Sequence, residues 1–228
     1  MALIHFIIRR KFSATAFWDD CVKYRATQFQ YIGELCRYLL NSPSHPNERK
    51  HRLRVVMGNG LRPEIWPAFK ARFRIPRIIE FYGATEGNVS LFNADGRVGA
   101  IGRIPGYMSR IVQTRLVQFD IESEQPVRTD KGFCVECKPD EAGEAIGKID
   151  EQRGRFEGYS KGTDTEKKIL RDVFEKGDAW FRTGDLFEIT GDDDPPRFYR
   201  YIGRLKQLIV RGGVKIAPEE LDTVLSQM

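Results

Sequence analysis

Three separated groups of residues carry the functional groups needed to hold a phosphorylated, hydroxyl-bearing ligand. The first is Tyr82-Gly-Ala-Thr-Glu86, which follows an apolar run through Ile75, Ile78, Ile79 and Phe81. Tyr82 offers a flat face and Gly83 lets a ligand approach the backbone. Thr85 supplies a hydroxyl for a phosphate oxygen, and Glu86 can hold a hard cation such as Mg²⁺. Taken alone, the segment reads equally as a strand-to-loop corner whose polar residues are solvated. The second group is Phe181-Arg-Thr-Gly-Asp185-Leu. An ionised Asp185 has two acceptor oxygens and no donor, which suits a diol such as ribose, although Thr183-Gly184-Asp185 alone is also an ordinary β-turn. The third group is Gly203-Arg204-Leu-Lys206, followed by the turn Gly212-Gly213.

The elements that would position these residues alternate in type. Residues 12–22 predict a helix capped by Ser13, residues 27–31 a short strand, and residues 33–40 a second amphipathic helix stopped by Asn41-Ser-Pro43. Residues 53–57 predict a strand ending in Gly58-Asn59-Gly60, then a helix over 63–73 opened by Pro63, then the strand into Tyr82. Strands alternating with helices argue for a parallel sheet, whose ligands collect at the carboxyl ends of its strands. That places Gly58-Asn59-Gly60 and residues 82–86 at one edge. From about Arg97 glycines and prolines recur between short alternating runs at 109–113, 116–121 and 132–138, which predicts a small antiparallel, barrel-like β unit interrupted by one helix over 163–173. Beyond Arg197 the pattern gives a strand, the Gly212-Gly213 turn, a second short strand and a helix starting at Pro218. The expected organisation is α/β over 1–96, β-rich over 97–202, and the start of a small α+β unit over 203–228.

Composition narrows the classes. The 37 Lys and Arg against 32 Asp and Glu give a net charge of +5, mostly interspersed. The densest basic stretch, Arg49-Lys-His-Arg-Leu-Arg54, lacks interleaved aromatics, so a solvated face is expected and no nucleic-acid partner. Four cysteines predict no disulfide framework. Cys134 and Cys137 are spaced to face opposite sides of a strand, which argues against zinc. Asp192-Asp-Asp-Pro-Pro reads as a solvated turn. The apolar opening, residues 1–8, is far shorter than the roughly 20 residues that span a bilayer, carries its cations after the apolar run, and predicts a buried strand.

With Tyr82-Gly-Ala-Thr-Glu86, Phe181-Arg-Thr-Gly-Asp185-Leu and Gly203-Arg204-Leu-Lys206 in one order, the chain resembles the adenylate-forming superfamily. Arg10-Lys-Phe-Ser-Ala, Phe17-Trp, Phe29-Gln-Tyr-Ile-Gly-Glu-Leu-Cys-Arg-Tyr-Leu and Gly99-Ala-Ile-Gly-Arg narrow the resemblance to its fatty acid transport protein and very-long-chain acyl-CoA synthetase branch. The resemblance implies an acid–thiol ligase that uses ATP, Mg²⁺ and CoA to activate a fatty acid through acyl-AMP. It implies Tyr82 and Gly83 along the adenine, Thr85 at the phosphates, Glu86 on Mg²⁺, Asp185 on the ribose hydroxyls with Arg204 nearby, and Gly58, Asn59 and Gly60 lining the adenine and acyl pocket. Lys206 matches the hinge of a rotating C-terminal domain, and Gly212 and Gly213 match the segment that meets the CoA side.

Two departures stand out. Lys206-Gln207 and Arg211-Gly-Gly-Val-Lys215 replace the Trp-Lys-Gly-Glu-Asn pattern usual in that branch. The family's Ser/Thr/Gly-rich phosphate loop and its C-terminal adenylation lysine have no counterpart in this sequence. The expectation is therefore a fragment of reduced or no activity, cytoplasmic or peripheral on a membrane's cytoplasmic face. A non-catalytic nucleotide- or fatty-acid-binding remnant and a membrane-associated uptake factor are the alternatives.

Overall fold

The computed structural model describes residues 5–83, 89–105, 108, 112–120, 122–149, 168–190, 198–211, 214–216, 218 and 221. They divide into two compact units, residues 1–81 with 93–99, and residues 82–92 with 100–228.

The first unit repeats a β-α step. Helix α1 (Ala14–Lys23) begins where Ser13, in extended conformation, accepts a hydrogen bond from the Ala16 amide, satisfying one of the donors a helix start leaves open. Strand β1 (Gln28–Ile32) leads into α2 (Gly33–Asn41), β2 (Val55–Asn59) into α3 (Ile65–Phe73), and α3 into β3 (Arg77–Gly83). β1 pairs parallel with β2, and β2 parallel with β3, so their carboxyl ends lie together. Helix α3 starts two residues after Pro63 and carries Pro67 in its first turn, where a missing N–H costs nothing. It stops at Arg74, whose left-handed conformation (φ 51°) closes the end. Trp18, Trp66, Phe69, Phe73, Val56 and Ile78 are buried in one core, with the Trp18 and Phe73 rings 4.4 Å apart.

The second unit is antiparallel. Its strands are β4 (Ser90–Asn93), β5 (Gly102–Arg103), β6 (Thr114–Val117), β7 (Phe119–Asp120), β8 (Gln125–Pro126), β9 (Gly143–Lys148), β10 (Ile169–Arg171), β11 (Ala179–Thr190) and β12 (Phe198–Arg204). The sheet runs β4-β5-β12-β11-β9-β6, β10 shares the β12 edge of β11, and β7 pairs with β8 apart. Both faces are covered. Leu116, Ala145 and Phe187 enter one apolar cluster, whereas their neighbours Val117 and Ile146, with Trp180, enter another. Such two-sided cover explains why residues 143–147 of β9 are buried without a break. A 3₁₀ turn (Leu205–Gln207) follows β12, and β13 (Ile209–Arg211) pairs with β14 (Val214–Ile216).

Several expectations are corrected. Among the described residues the second unit is an open sheet and not a closed barrel. The helix expected over 163–173 gives way at Ile169–Arg171 to a strand, because Leu170 buries beside Trp180 while its neighbours pair with β11. Residues 132–138 make only isolated bridges, Arg128 with Cys134 and Val117 with Glu136. Of the opening, the described residues 5–8 are irregular and form no buried strand, with Phe6 84% and Ile8 90% exposed, and residues 1–4 lie outside the described residues. Apolar composition alone does not provide strand partners for such a segment. The loop 192–196 lies outside the described residues. Of the helix expected from Pro218, the described Pro218 and Leu221 are helical.

Candidate functional site

Asp185 is the centre of the second unit's polar site. It is 6% exposed, and both carboxylate oxygens are engaged. The Tyr82 hydroxyl donates to Oδ2 at 2.6 Å, and the Arg204 guanidinium lies 3.3 Å from Oδ1. Tyr82 is at the end of β3 and Arg204 at the end of β12, paired opposite Asp185. Residues 103 positions apart in sequence thus meet at one carboxylate. The Tyr82 ring packs edge-on against Phe187, which is wholly buried. Burial, reinforced by Asp185, raises the phenol pKa far above the usual range, so Tyr82 stays a donor. The charge of Asp185 likewise raises the pKa of Arg204.

A bulge carries Asp185 into place. Between β11 and β9 the register pairs Arg182 with Ile146 and Leu186 with Glu144, so Thr183, Gly184 and Asp185 together oppose only Ala145. Gly184 takes a φ of +74°, open to glycine at no steric cost. The Thr183 hydroxyl donates to the Ala145 carbonyl at 2.7 Å and accepts from the Asp185 amide at 3.1 Å. Beneath the turn lies Glu144, 0% exposed. Its Oε1 accepts from the Gly184 amide at 3.1 Å, and Arg182 reaches its Oε2 through Nη2 at 2.9 Å and Nε at 3.0 Å. Burial raises the carboxyl pKa of Glu144, and Arg182 opposes that rise.

The first unit holds the loop after β2. Glu80, buried on β3, accepts from the Tyr31 hydroxyl at 2.6 Å and from the Gly60 and Leu61 amides at 3.1 Å each. Burial pushes its pKa up to about 7, against the pull of those hydrogen bonds. Gly58 is glycine for a packing reason: a Cβ there would lie 2.5 Å from the Tyr31 ring. Asn59 ends β2 exposed, and Gly60 has a φ of +74°. Gly33 presses so closely on the Gly60 carbonyl that any Cβ would collide with it.

Of the predicted residues, Tyr82, Asp185 and Arg204 are brought together, and Gly58, Asn59 and Gly60 form a separate loop in the first unit. Gly83 is exposed at the end of β3, with no described atom within 4 Å of where a Cβ would stand. Lys206 is exposed in the turn after β12. Thr85, Glu86, Gly212 and Gly213 lie outside the described residues. Sequence reasoning missed Glu80, Glu144 and Arg182. A signal existed for two of them: each glutamate falls on a buried position of a strand whose neighbours are apolar or small. Cys134 and Cys137 enter different apolar clusters, as their spacing predicted.

The chain thus joins, in sequence, a parallel β-α unit to an antiparallel sheet that carries a buried Asp at a bulge. Residues 3–133 match the family of AMP-binding enzymes, and the chain belongs to that family. It is 42% identical over 224 residues to long-chain fatty acid transport protein 1 of Mus musculus, covering 97% of this chain and 34% of that protein. It is 43% identical over 221 residues to long-chain fatty acid transport protein 2 of Rattus norvegicus, covering 96% and 35%. The chain therefore spans about a third of the length of these relatives. In fold it is similar to ATP-bound MatB from Rhodopseudomonas palustris, with TM-score 0.69 and 23% identity over 97% of this chain and 39% of that one. Among the described residues, no helix is long and apolar enough to cross a membrane.

Proposed function

We propose that this chain supplies the adenylate-binding part of a ligase that joins a long- or very-long-chain fatty acid to CoA. The observation that carries the reading is Asp185, a buried carboxylate held by Tyr82 and Arg204 at a half-buried turn. An acceptor-only group so fixed is suited to the two hydroxyls of a ribose, with the Tyr82 face against the adenine. In the reaction, a fatty acid carboxylate oxygen attacks the α-phosphorus of ATP and pyrophosphate leaves. The CoA thiol sulfur then attacks the acyl carbon, loses its proton, and expels AMP. Thr85 would contact the phosphates, and Glu86 would hold Mg²⁺, which neutralises phosphate charge when bound. Gly58, Asn59 and Gly60 would line the adenine and acyl pocket. Lys206, in the turn after β12, would serve as a hinge, and Gly212 and Gly213 would meet CoA. The fatty acid is proposed from the likeness to the transport proteins.

Calorimetric titration of the chain with AMP tests the reading. Asp185→Asn keeps the side chain's shape but turns one acceptor into a donor, and is expected to weaken AMP binding by about tenfold or more. Unchanged affinity would overturn the assignment of Asp185. A pyrophosphate-release assay with oleate, ATP and Mg²⁺ separates a ligase from a nucleotide-holding remnant, which would bind AMP without turnover.

A further inference from the structure

The bulge that presents Asp185 does not hold itself open by backbone pairing. The ladder is interrupted between Arg182 and Leu186, where three residues oppose Ala145 alone, an excess of two, and the Gly184 amide needs a partner outside it. The group that receives this amide is a side chain, Glu144, reaching up from β9 itself. A fully buried carboxylate is costly unless paired, and here Arg182, the last residue before the bulge, pairs with it. The Arg182 guanidinium also faces the Phe119 ring, its carbon 5.6 Å from the centroid. Glu144 thus ties both the start and the middle of the excursion to one strand, and the next residue is Asp185.

We propose that Glu144 is the positioning residue of this site: by holding Arg182 and the Gly184 amide it sets the aim of Asp185, and through it the protein's preference for a nucleotide with an intact ribose diol. The proposal rests on the reading of Asp185 as the diol acceptor. Glutamine does not reproduce Glu144. Its carbonyl oxygen can keep the Gly184 amide and Arg182 Nε, both of which Oε1 receives at 3.1 Å, but its amide nitrogen then opposes Arg182 Nη2, and the charge that pairs with Arg182 is lost. Arg182→Lys keeps the charge and loses the planar fork that meets the carboxylate through two nitrogens.

The experiment compares AMP with 2′,3′-dideoxyadenosine monophosphate on the full chain, for wild type, Glu144→Gln and Arg182→Lys, each checked as folded by circular dichroism. Wild type is expected to prefer AMP by about tenfold to a hundredfold. Glu144→Gln is expected to lose most of that preference while binding the dideoxy nucleotide as before, and to speed hydrogen exchange at the Gly184 amide. An undiminished preference, or equal weakening of both ligands, overturns the proposal. If Glu144→Gln does not fold, Arg182→Lys decides, and an unchanged preference there overturns it. A wild type without preference removes the diol reading of Asp185. Exchange at Gly184 then still shows whether Glu144 holds the turn, so the two failures are told apart.

Discussion

Removing only the hydroxyl of Tyr82 separates its two contributions. The hydroxyl donates to Asp185, while the ring rests on Phe187. Tyr82→Phe leaves a buried carboxylate oxygen without its donor and is expected to cost about 1–3 kcal/mol of stability. Because the ring stays, AMP affinity should remain within a few-fold of wild type. Tyr82→Ala removes the face as well, and base–aromatic stacking of ~1–3 kcal/mol predicts a loss of about fivefold to a hundredfold. Titration calorimetry on both variants is the check, and equal effects on AMP would refute a stacking role. Tyr82 and Asp185 were legible as single residues, since each has a side chain whose chemistry is plain. Their hydrogen bond was not, because a separation of 103 positions leaves no local trace.

At the scale of elements, the loop after β2 is held by a neighbouring strand. Glu80 of β3 receives the Gly60 and Leu61 amides from the side and the Tyr31 hydroxyl of β1 from across the sheet. Its pKa, raised from 4.5 to about 7 by burial, makes a specific demand on stability. The folded state binds the proton more tightly than the unfolded chain. The contribution of Glu80 to stability is therefore fully present below about pH 4.5 and is lost as pH rises through 7, about 3 kcal/mol in total. Urea midpoints measured from pH 5 to 8 for wild type and Glu80→Gln should show this as a difference that shrinks with rising pH. A pH-independent difference would mean that Glu80 is ionised throughout. The β-α-β reading of the first unit was legible because parallel strands and amphipathic helices differ in period. The strand at Ile169–Arg171 was misread as helix because three residues are too few to show a period, and only pairing with β11 decides it.

For the whole molecule, two sets of buried aromatics carry the folded state. Phe73 lies against Trp18 and Phe69, and Phe187 against Tyr82 and Tyr201. Either Phe→Ala change is expected to cost about 3–5 kcal/mol, read from urea unfolding followed by tryptophan fluorescence. Phe187→Ala should also weaken AMP binding, since it removes the support of the Tyr82 ring, whereas a loss under 1 kcal/mol would show that the site collapses onto the cavity. By itself, the sequence determined the order of elements from α1 to β3 and the functional groups that Tyr82, Asp185 and Arg204 bring, because propensity, period and side-chain chemistry are local properties. Only the tertiary structure decided that the second unit is an open sheet, that Tyr82 and Arg204 share one carboxylate, and that Glu80 and Glu144 hold the two loops. Those outcomes depend on which strands pair and in what register, and long-range pairing sets the partners of a buried charge.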